Sequence, residues 1–388
     1  MKKLHRQPLT LILALIMLFA TSLSSVTAVG ADTPITASIS LQSVPPNGID
    51  STIADVFPDP GLAAAVAEEL GRGVNSIVSA SELGSITYLW DGNRNIESIE
   101  GVQYFTGLEY LYLENNQISN ITPLAGLTNL QELELYNNQI SDIAPLAGLT
   151  GLEWLSLYNN QISDITPLAG LTNLLDLVLP NNQISDVSPL AELTNLQELY
   201  LNYNQVYDIT PIAGLTGLEW LNLSYNQIND ISPLAELTNL RELNLSSQAI
   251  TLNDAIINTS TKFVVKEINA DPVDLTLLND GTYEDGSLTW TNTGDNQATW
   301  TSSVTIGRAT ATFGGRVSQY AAENISEIVT VEHILAVRDH ILGKTPLPAN
   351  ERTMMDVNKD GVINIFDMLV MRDMILRRRI NAECRIAF

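Results

Sequence analysis

The chain has 388 residues, 44 of them acidic and 19 basic, and a formal charge of −25 at neutral pH. So large an acidic excess excludes nucleic acid as a partner, because phosphate binding needs clustered Lys and Arg. The single cysteine, Cys384, excludes a disulfide within the chain. The first 31 residues place Lys2, Lys3 and Arg6 ahead of an apolar run from Leu9 to Ala20 and then a small-residue stretch, with cleavage expected after Ala28 or Ala31. That pattern is a secretory signal peptide, and its apolar run is short for a membrane span. No second spanning stretch and no LPxTG-type sorting signal follows, so the expectation is a secreted chain without a transmembrane anchor after signal removal. Residues 32–52 read as a linker.

Residues 53–82 begin a helical pattern: Asp59-Pro60 is a helix start, and Leu62, Val66 and Leu70 fall on one face. From 83 to 258 a unit of 22 residues governs the chain, repeating in register seven times from Phe105, Leu127, Leu149, Leu171, Leu193, Leu215 and Leu237. A period of this kind means a solenoid, because one unit cannot bury its apolar face alone. In each unit L-x-x-L-x-L alternates, so the leucines point inward from a short strand and the residues between them point out. The following asparagine (Asn116, Asn138, Asn160, Asn182, Asn204, Asn226) sits at an inward turn, where its amide can serve buried backbone groups. Asp142, Asp164, Asp186, Asp208 and Asp230 precede a Ser, Thr or Ala and a proline, and read as starts of short helical turns rather than a metal-binding row. Residues 83–104 keep the register with Asp91 in a leucine place and Arg94 in the asparagine place, as an atypical first coil would.

The repeat resembles the leucine-rich repeats of bacterial internalins and internalin-like surface proteins, and 53–82 resembles the helical N-terminal cap of that family. From 259 to 322 the composition turns to Thr, Val, Trp and Gly in short alternating runs separated by Asn279-Asp-Gly, Glu284-Asp-Gly and Phe313-Gly-Gly, which reads as a small β-sandwich. This segment resembles the immunoglobulin-like domain that follows internalin repeats, and the resemblance implies that it caps the last coil.

Residues 323–380 carry an ion-binding motif, with Asp356, Asn358, Asp360, Asn364 and Asp367 at positions one, three, five, nine and twelve, Gly361 at six, and Val362 offering its carbonyl. A tight loop with that spacing wraps oxygen ligands around Ca2+. Position twelve is Asp rather than Glu and a helix follows directly, as in dockerins, which the segment resembles. The helical stretch from His333 recurs 34 residues later from Asp367. That offset puts Ala322, Asn324, Ser326, Thr330 and His333 on the ligand positions and Glu327 on the glycine, so one calcium site is expected, not two. The resemblance implies a cohesin partner, with Ile365 and Phe366 beside the loop either a contact patch or packing between the two units. Residues 381–388 are a tail.

Three outward positions per strand make three columns across the repeats. They contain seven aromatic residues (Tyr110, Tyr112, Tyr136, Trp154, Tyr158, Tyr200 and Trp220), six acidic ones and none basic. Such rows are favoured where a protein or glycan is bound, or they support the ladder as cross-strand pairs. Acidic surroundings favour a basic or neutral partner. Nothing has catalytic spacing: His333 and His340 stand seven apart, and there is no G-x-S-x-G elbow, Cys-His pairing or phosphate loop. The expected architecture is an α/β leucine-rich repeat solenoid with a helical cap, an immunoglobulin-like β-sandwich and a small all-α, calcium-binding dockerin-like domain. The expected function is a secreted, non-catalytic binding protein docked to a cohesin-bearing, cellulosome-like assembly. The alternatives are a cell-surface adhesion or structural protein and, behind it, a polysaccharide-degrading enzyme.

Overall fold

The computed structural model describes residues 51–323 and 331–341, with residues 347, 355, 363 and 371 besides. The expected signal peptide, most of the linker and the calcium loop lie outside the described residues.

The cap opens with β1 (Ser51–Thr52), paired antiparallel with β2 (Ile77–Val78), and helices α1 (Ile53–Val56), α2 (Pro60–Glu69) and α3 (Ala80–Leu83). Asp59 starts α2 as expected. Its Oδ1 accepts from the Gly61 and Leu62 amides at 2.9 and 3.1 Å, and Pro60 takes the first turn, where a missing N–H costs nothing. Oδ2 of the same carboxylate accepts from the Glu97 and Ser98 amides at 2.8 and 3.1 Å, so one side chain both starts the helix and pins it to the first coil.

The repeats form a parallel ladder: β3 (Tyr88–Trp90), β4 (Tyr110–Tyr112), β5 (Glu132–Glu134), β6 (Trp154–Ser156), β7 (Asp176–Val178), β8 (Glu198–Tyr200), β9 (Trp220–Asn222) and β10 (Glu242–Thr251). Each residue pairs with the one 22 places on, as in Leu111↔Leu133 and Leu133↔Leu155. The inward leucines are buried, save the half-buried Leu243 of the last coil, and each coil adds them to one continuous core. On the opposite side the chain makes 3-10 turns such as Thr122–Leu124, Ala144–Leu146 and Thr166–Leu168. The expected Asp residues begin these turns by accepting from the amide two residues on: Asp142 from Ala144, Asp164 from Thr166 and Asp186 from Ser188, each at 2.8 Å. The inward asparagines behave as expected too. Asn138 donates to the Leu113 and Leu135 carbonyls at 3.0 and 3.1 Å and accepts from the Ile118 amide at 2.9 Å, stitching two coils together.

The immunoglobulin-like sandwich expected over 259–322 is not a self-contained pair of sheets. After the short strands β11 (Ala255–Ile256), β12 (Ser260–Lys262), β13 (Val265–Lys266), β14 (Pro272–Val273), β15 (Thr276–Leu277), β16 (Gly281–Glu284) and β17 (Ser287–Trp290), two long strands, β18 (Gly294–Ile306) and β19 (Ala309–Ala322), form a hairpin, and β19 pairs parallel with β10. One 12-stranded sheet therefore runs from the first coil through the repeats into this segment. The physical reason is the open edge of the last coil, whose unpaired backbone groups β19 satisfies. A smaller sheet of β12, β16 and β17 reaches across to the larger one where Trp290 Nε1 donates to Gln319 Oε1 at 2.9 Å. Trp300 fills the hydrophobic interior between Phe263 and Phe313, its ring centroid 6.3 and 6.0 Å from theirs. A helix, α4 (Val331–Ile341), lies where the first dockerin-like helix is expected.

Candidate recognition surface

Positions of the first two columns flank the middle leucine of each strand, and with that leucine turned to the core the flanking side chains face outward. In the first column Tyr110, Glu132, Trp154, Asp176, Glu198, Trp220 and Glu242 are in register from strand to strand. The expected aromatic residues do gather on this face, but not as one row. Tyr136 and Tyr158 stack on each other, centroids 4.4 Å apart and planes 10° off parallel, so that pair also supports the ladder. Trp154 is 38% exposed, and no ring among the described residues stacks on it.

Tyrosine hydroxyls orient two carboxylates and one side-chain amide. Tyr200 donates to Glu198 at 3.0 Å, Tyr112 to Glu132, and Tyr110 to Gln131 at 3.4 Å. Burial and then the hydrogen bond to Glu198 push Tyr200 up to about 12, and burial and the contact with Glu132 raise Tyr112 further. Burial, with Glu198 on the next strand, pushes the Asp176 carboxyl up to about 6. Glu134 is raised by burial and by Glu114 and Glu132. Glu114 is 7% exposed; its Oε1 accepts from Trp90 Nε1 at 3.3 Å, while Oε2 is buried without a donor. Gly92 leaves room for the Glu114 carboxylate, and a Cβ there would make that side chain shift. Six of the 21 columnar positions thus carry carboxylates and none carries a basic residue, so the donors within the columns are neutral: tyrosine and serine hydroxyls, asparagine amides and tryptophan N–H groups.

The whole pattern is that of a known family. Paired leucine-rich repeats match over 106–148, 128–170, 150–192, 172–214 and 216–256, and the leucine-rich-repeat-adjacent family matches over 275–320. Internalin C2 of Listeria monocytogenes is 44% identical over 51% of this chain and 89% of its own, with a TM-score of 0.49. The chain belongs to the internalin family of leucine-rich repeat proteins. A second internalin of Listeria monocytogenes, inlF, is 37% identical over 52% of this chain and 67% of its own, at a TM-score of 0.46. A leucine-rich repeat protein of Leptospira interrogans is 30% identical over 38% and 39%, at 0.37. No curated protein matches the sequence.

In this internalin-like chain the surface extends beyond the seven coils read from sequence. Tyr88 and Trp90 belong to it, Trp90 being 64% exposed, and Tyr88 packs edge-on against Tyr112 at 5.7 Å. Counting 22 back from Tyr110 and Tyr112 finds them. Also missed were Tyr203 and Tyr225, stacked at 4.1 Å on the rim of the face. Both have φ near +57°, in the place that Asn115, Asn137, Asn159 and Asn181 take in earlier coils. Asparagine tolerates that conformation and links coil to coil there, Asn137 donating to Asn115 and Asn159 to Asn137 at 2.6 Å. The tyrosines replace that chain of amides with ring stacking. The calcium ligands Asp356, Asn358, Asp360, Val362, Asn364 and Asp367, and the pair Ile365 and Phe366, lie outside the described residues. Among the described residues no three His, Cys, Asp or Glu side chains converge as metal ligands, and no helix is long and apolar enough to cross a membrane.

Proposed function

We propose that this chain is a secreted, non-catalytic recognition protein whose concave face binds a protein, with a glycan as the lesser candidate. The observation that carries the reading is the composition of that face: aromatic anchors and partly buried, like-charged carboxylates with no basic residue among its 21 columnar positions. The family supports protein recognition, and no catalytic family is indicated. To test it, binding of the full chain to arrays of extracellular protein domains and of glycans would be compared with that of a Tyr136→Ala, Tyr158→Ala variant and of Gln139→Ala on the side of the coil. A protein ligand lost only in the concave variant is expected. A ligand retained by the concave variant and lost on changing the side of the coil would overturn the reading.

The C-terminal segment completes the proposal. Asp356, Asn358, Asp360, Val362, Asn364 and Asp367 would hold one Ca2+ and order a dockerin-like domain that docks to a cohesin, with Ile365 and Phe366 making the contact apolar. The support is the ligand spacing alone. Calorimetric titration of the full chain should show one calcium site, abolished by Asp356→Ala and by Asp360→Ala. A chain that takes up no calcium at millimolar concentration has no such domain.

A further inference from the structure

The dipeptide Glu-Trp occurs twice at the same place in the repeat, as Glu153-Trp154 and Glu219-Trp220, three coils apart. The two settings match in backbone and neighbours. In both, the next coil donates two amides to the glutamate carbonyl: Leu175 and Asp176 to Glu153 at 2.8 and 3.1 Å, Arg241 and Glu242 to Glu219 at 2.8 and 3.1 Å. Each tryptophan is flanked in register by two carboxylates, Trp154 by Glu132 and Asp176, Trp220 by Glu198 and Glu242. They differ chiefly in their cation. At the second, the Arg241 guanidinium lies over the Trp220 ring, 5.6 Å from its centroid, and pairs with Glu219 at 2.9 Å. At the first, Leu175 stands where Arg241 stands, and among the described residues no cation lies over the Trp154 ring.

We propose that Glu153, Trp154 and Asp176 form a seat for an arginine side chain of a protein partner, the seat that Arg241 fills on Glu219 and Trp220. A guanidinium suits it better than an ammonium, because it stacks flat on the indole and offers a fork of donors to carboxylates on either side. The chemistry of the site is asymmetric in the same sense: Trp154 stays exposed, and the raised Asp176 carboxyl is a charge that lacks a counter-ion. This rests on the concave face being the binding surface, and names the residue type that the face takes.

The test uses the full chain and a short peptide of arginines spaced by glycine and serine, against the same peptide with lysine and with citrulline, by calorimetry. The arginine peptide should bind roughly three- to five-fold tighter than the lysine peptide, and the citrulline peptide weakest. Leu175→Arg should fill the seat from within, raising the thermal midpoint and abolishing the preference for arginine. Trp154→Ala and Glu153→Gln should abolish it as well, and they decide the matter if Leu175→Arg does not fold. Equal binding of the arginine and lysine peptides overturns the seat. So does a preference that survives in the folded variants. If Tyr136→Ala with Tyr158→Ala weakens all peptides while the seat variants change nothing, the seat is wrong and the concave face stands. If neither set of variants affects binding, both readings fall.

Discussion

A buried side-chain amide destabilises a core unless each of its groups finds a partner, and the repeat meets this condition by giving one asparagine per coil three backbone groups to serve. Asn182 donates to the Leu157 and Leu179 carbonyls at 3.0 and 3.1 Å and accepts from the Ile162 amide at 3.0 Å. Asn182→Ala leaves those groups buried and unpaired, so a loss of roughly 2–4 kcal/mol is expected from the midpoint of urea unfolding. Asn173, which donates to the Thr150 carbonyl at 2.9 Å on the exposed side, provides the contrast: Asn173→Ala should cost below about 1 kcal/mol. Equal losses would mean that the inward amide is not what joins the coils. The last coil departs from the pattern, since Gln248 takes the asparagine's place, accepting from the Ile228 amide at 3.0 Å and donating to the Leu223 and Leu245 carbonyls at 3.0 Å. This glutamine stands at the irregularity between Leu245 and Gln248 in the pairing of β10 with β19.

That irregularity marks where the fold stops being legible in the sequence. The 22-residue period reveals the ladder, its inward leucines and the aromatic residues that face outward, because each follows from local alternation repeated in register. The partner of β19 follows from nothing local: Ala309–Ala322 alternates like any strand, and its pairing with β10 is decided by the open edge it covers. Tyr203 and Tyr225 escaped notice for a similar reason, since their place in the repeat reads as asparagine and only the backbone shows the positive φ they share. Gly315 bears on the seam directly. It lies opposite Gln248 on one side and Trp300 on the other, and a Cβ there would collide with the Gln248 carbonyl and the Trp300 ring. Gly315→Val should therefore force β19 off β10, costing about 2–3 kcal/mol and exposing 259–322 to proteolysis while the repeats hold. Gly170, with open space around its Cβ direction, should accept alanine with little change. A Gly315→Val chain as resistant as the parent would show that the seam does not depend on this contact.

Charge sets the behaviour of the protein as one body. Neighbouring strands stand about 4.8 Å apart, so carboxylates on adjacent strands such as Asp176 and Glu198 lie inside a Debye length of about 10 Å at 0.1 M salt, repel one another and destabilise the folded chain. Two groups of carboxylates respond to pH in opposite senses. Asp176, Glu134 and Asp91 are raised, chiefly by burial, so the folded state holds their protons more tightly than the unfolded state. Their contribution is fully present at low pH and is lost as pH climbs from about 4, the unfolded value, towards the folded value of about 6 for Asp176. Asp164 and Asp186 are lowered by the hydrogen bonds of their turns, and Glu82 is lowered to about 2 by the Ser79 amide and Arg72. Their contribution is present at neutral pH and is lost as pH falls below about 4. Stability should accordingly peak between about pH 4 and 6, with the thermal midpoint higher at pH 5 than at pH 7. At pH 7, raising NaCl from 0.1 to 1 M shortens the Debye length to about 3 Å and should raise the midpoint. Asp176→Asn should narrow the gap between pH 5 and pH 7; because the group is half-exposed, solvent screening holds its share below about 1 kcal/mol. Surface ion pairs such as Arg72–Glu82 and Arg241–Glu219 pull the other way, since salt weakens them. A midpoint that falls with NaCl and rises from pH 5 to pH 7 would mean that those pairs, rather than repulsion across the concave face, govern the stability of the chain. It would also remove the reason for expecting a cationic partner to be drawn to that face.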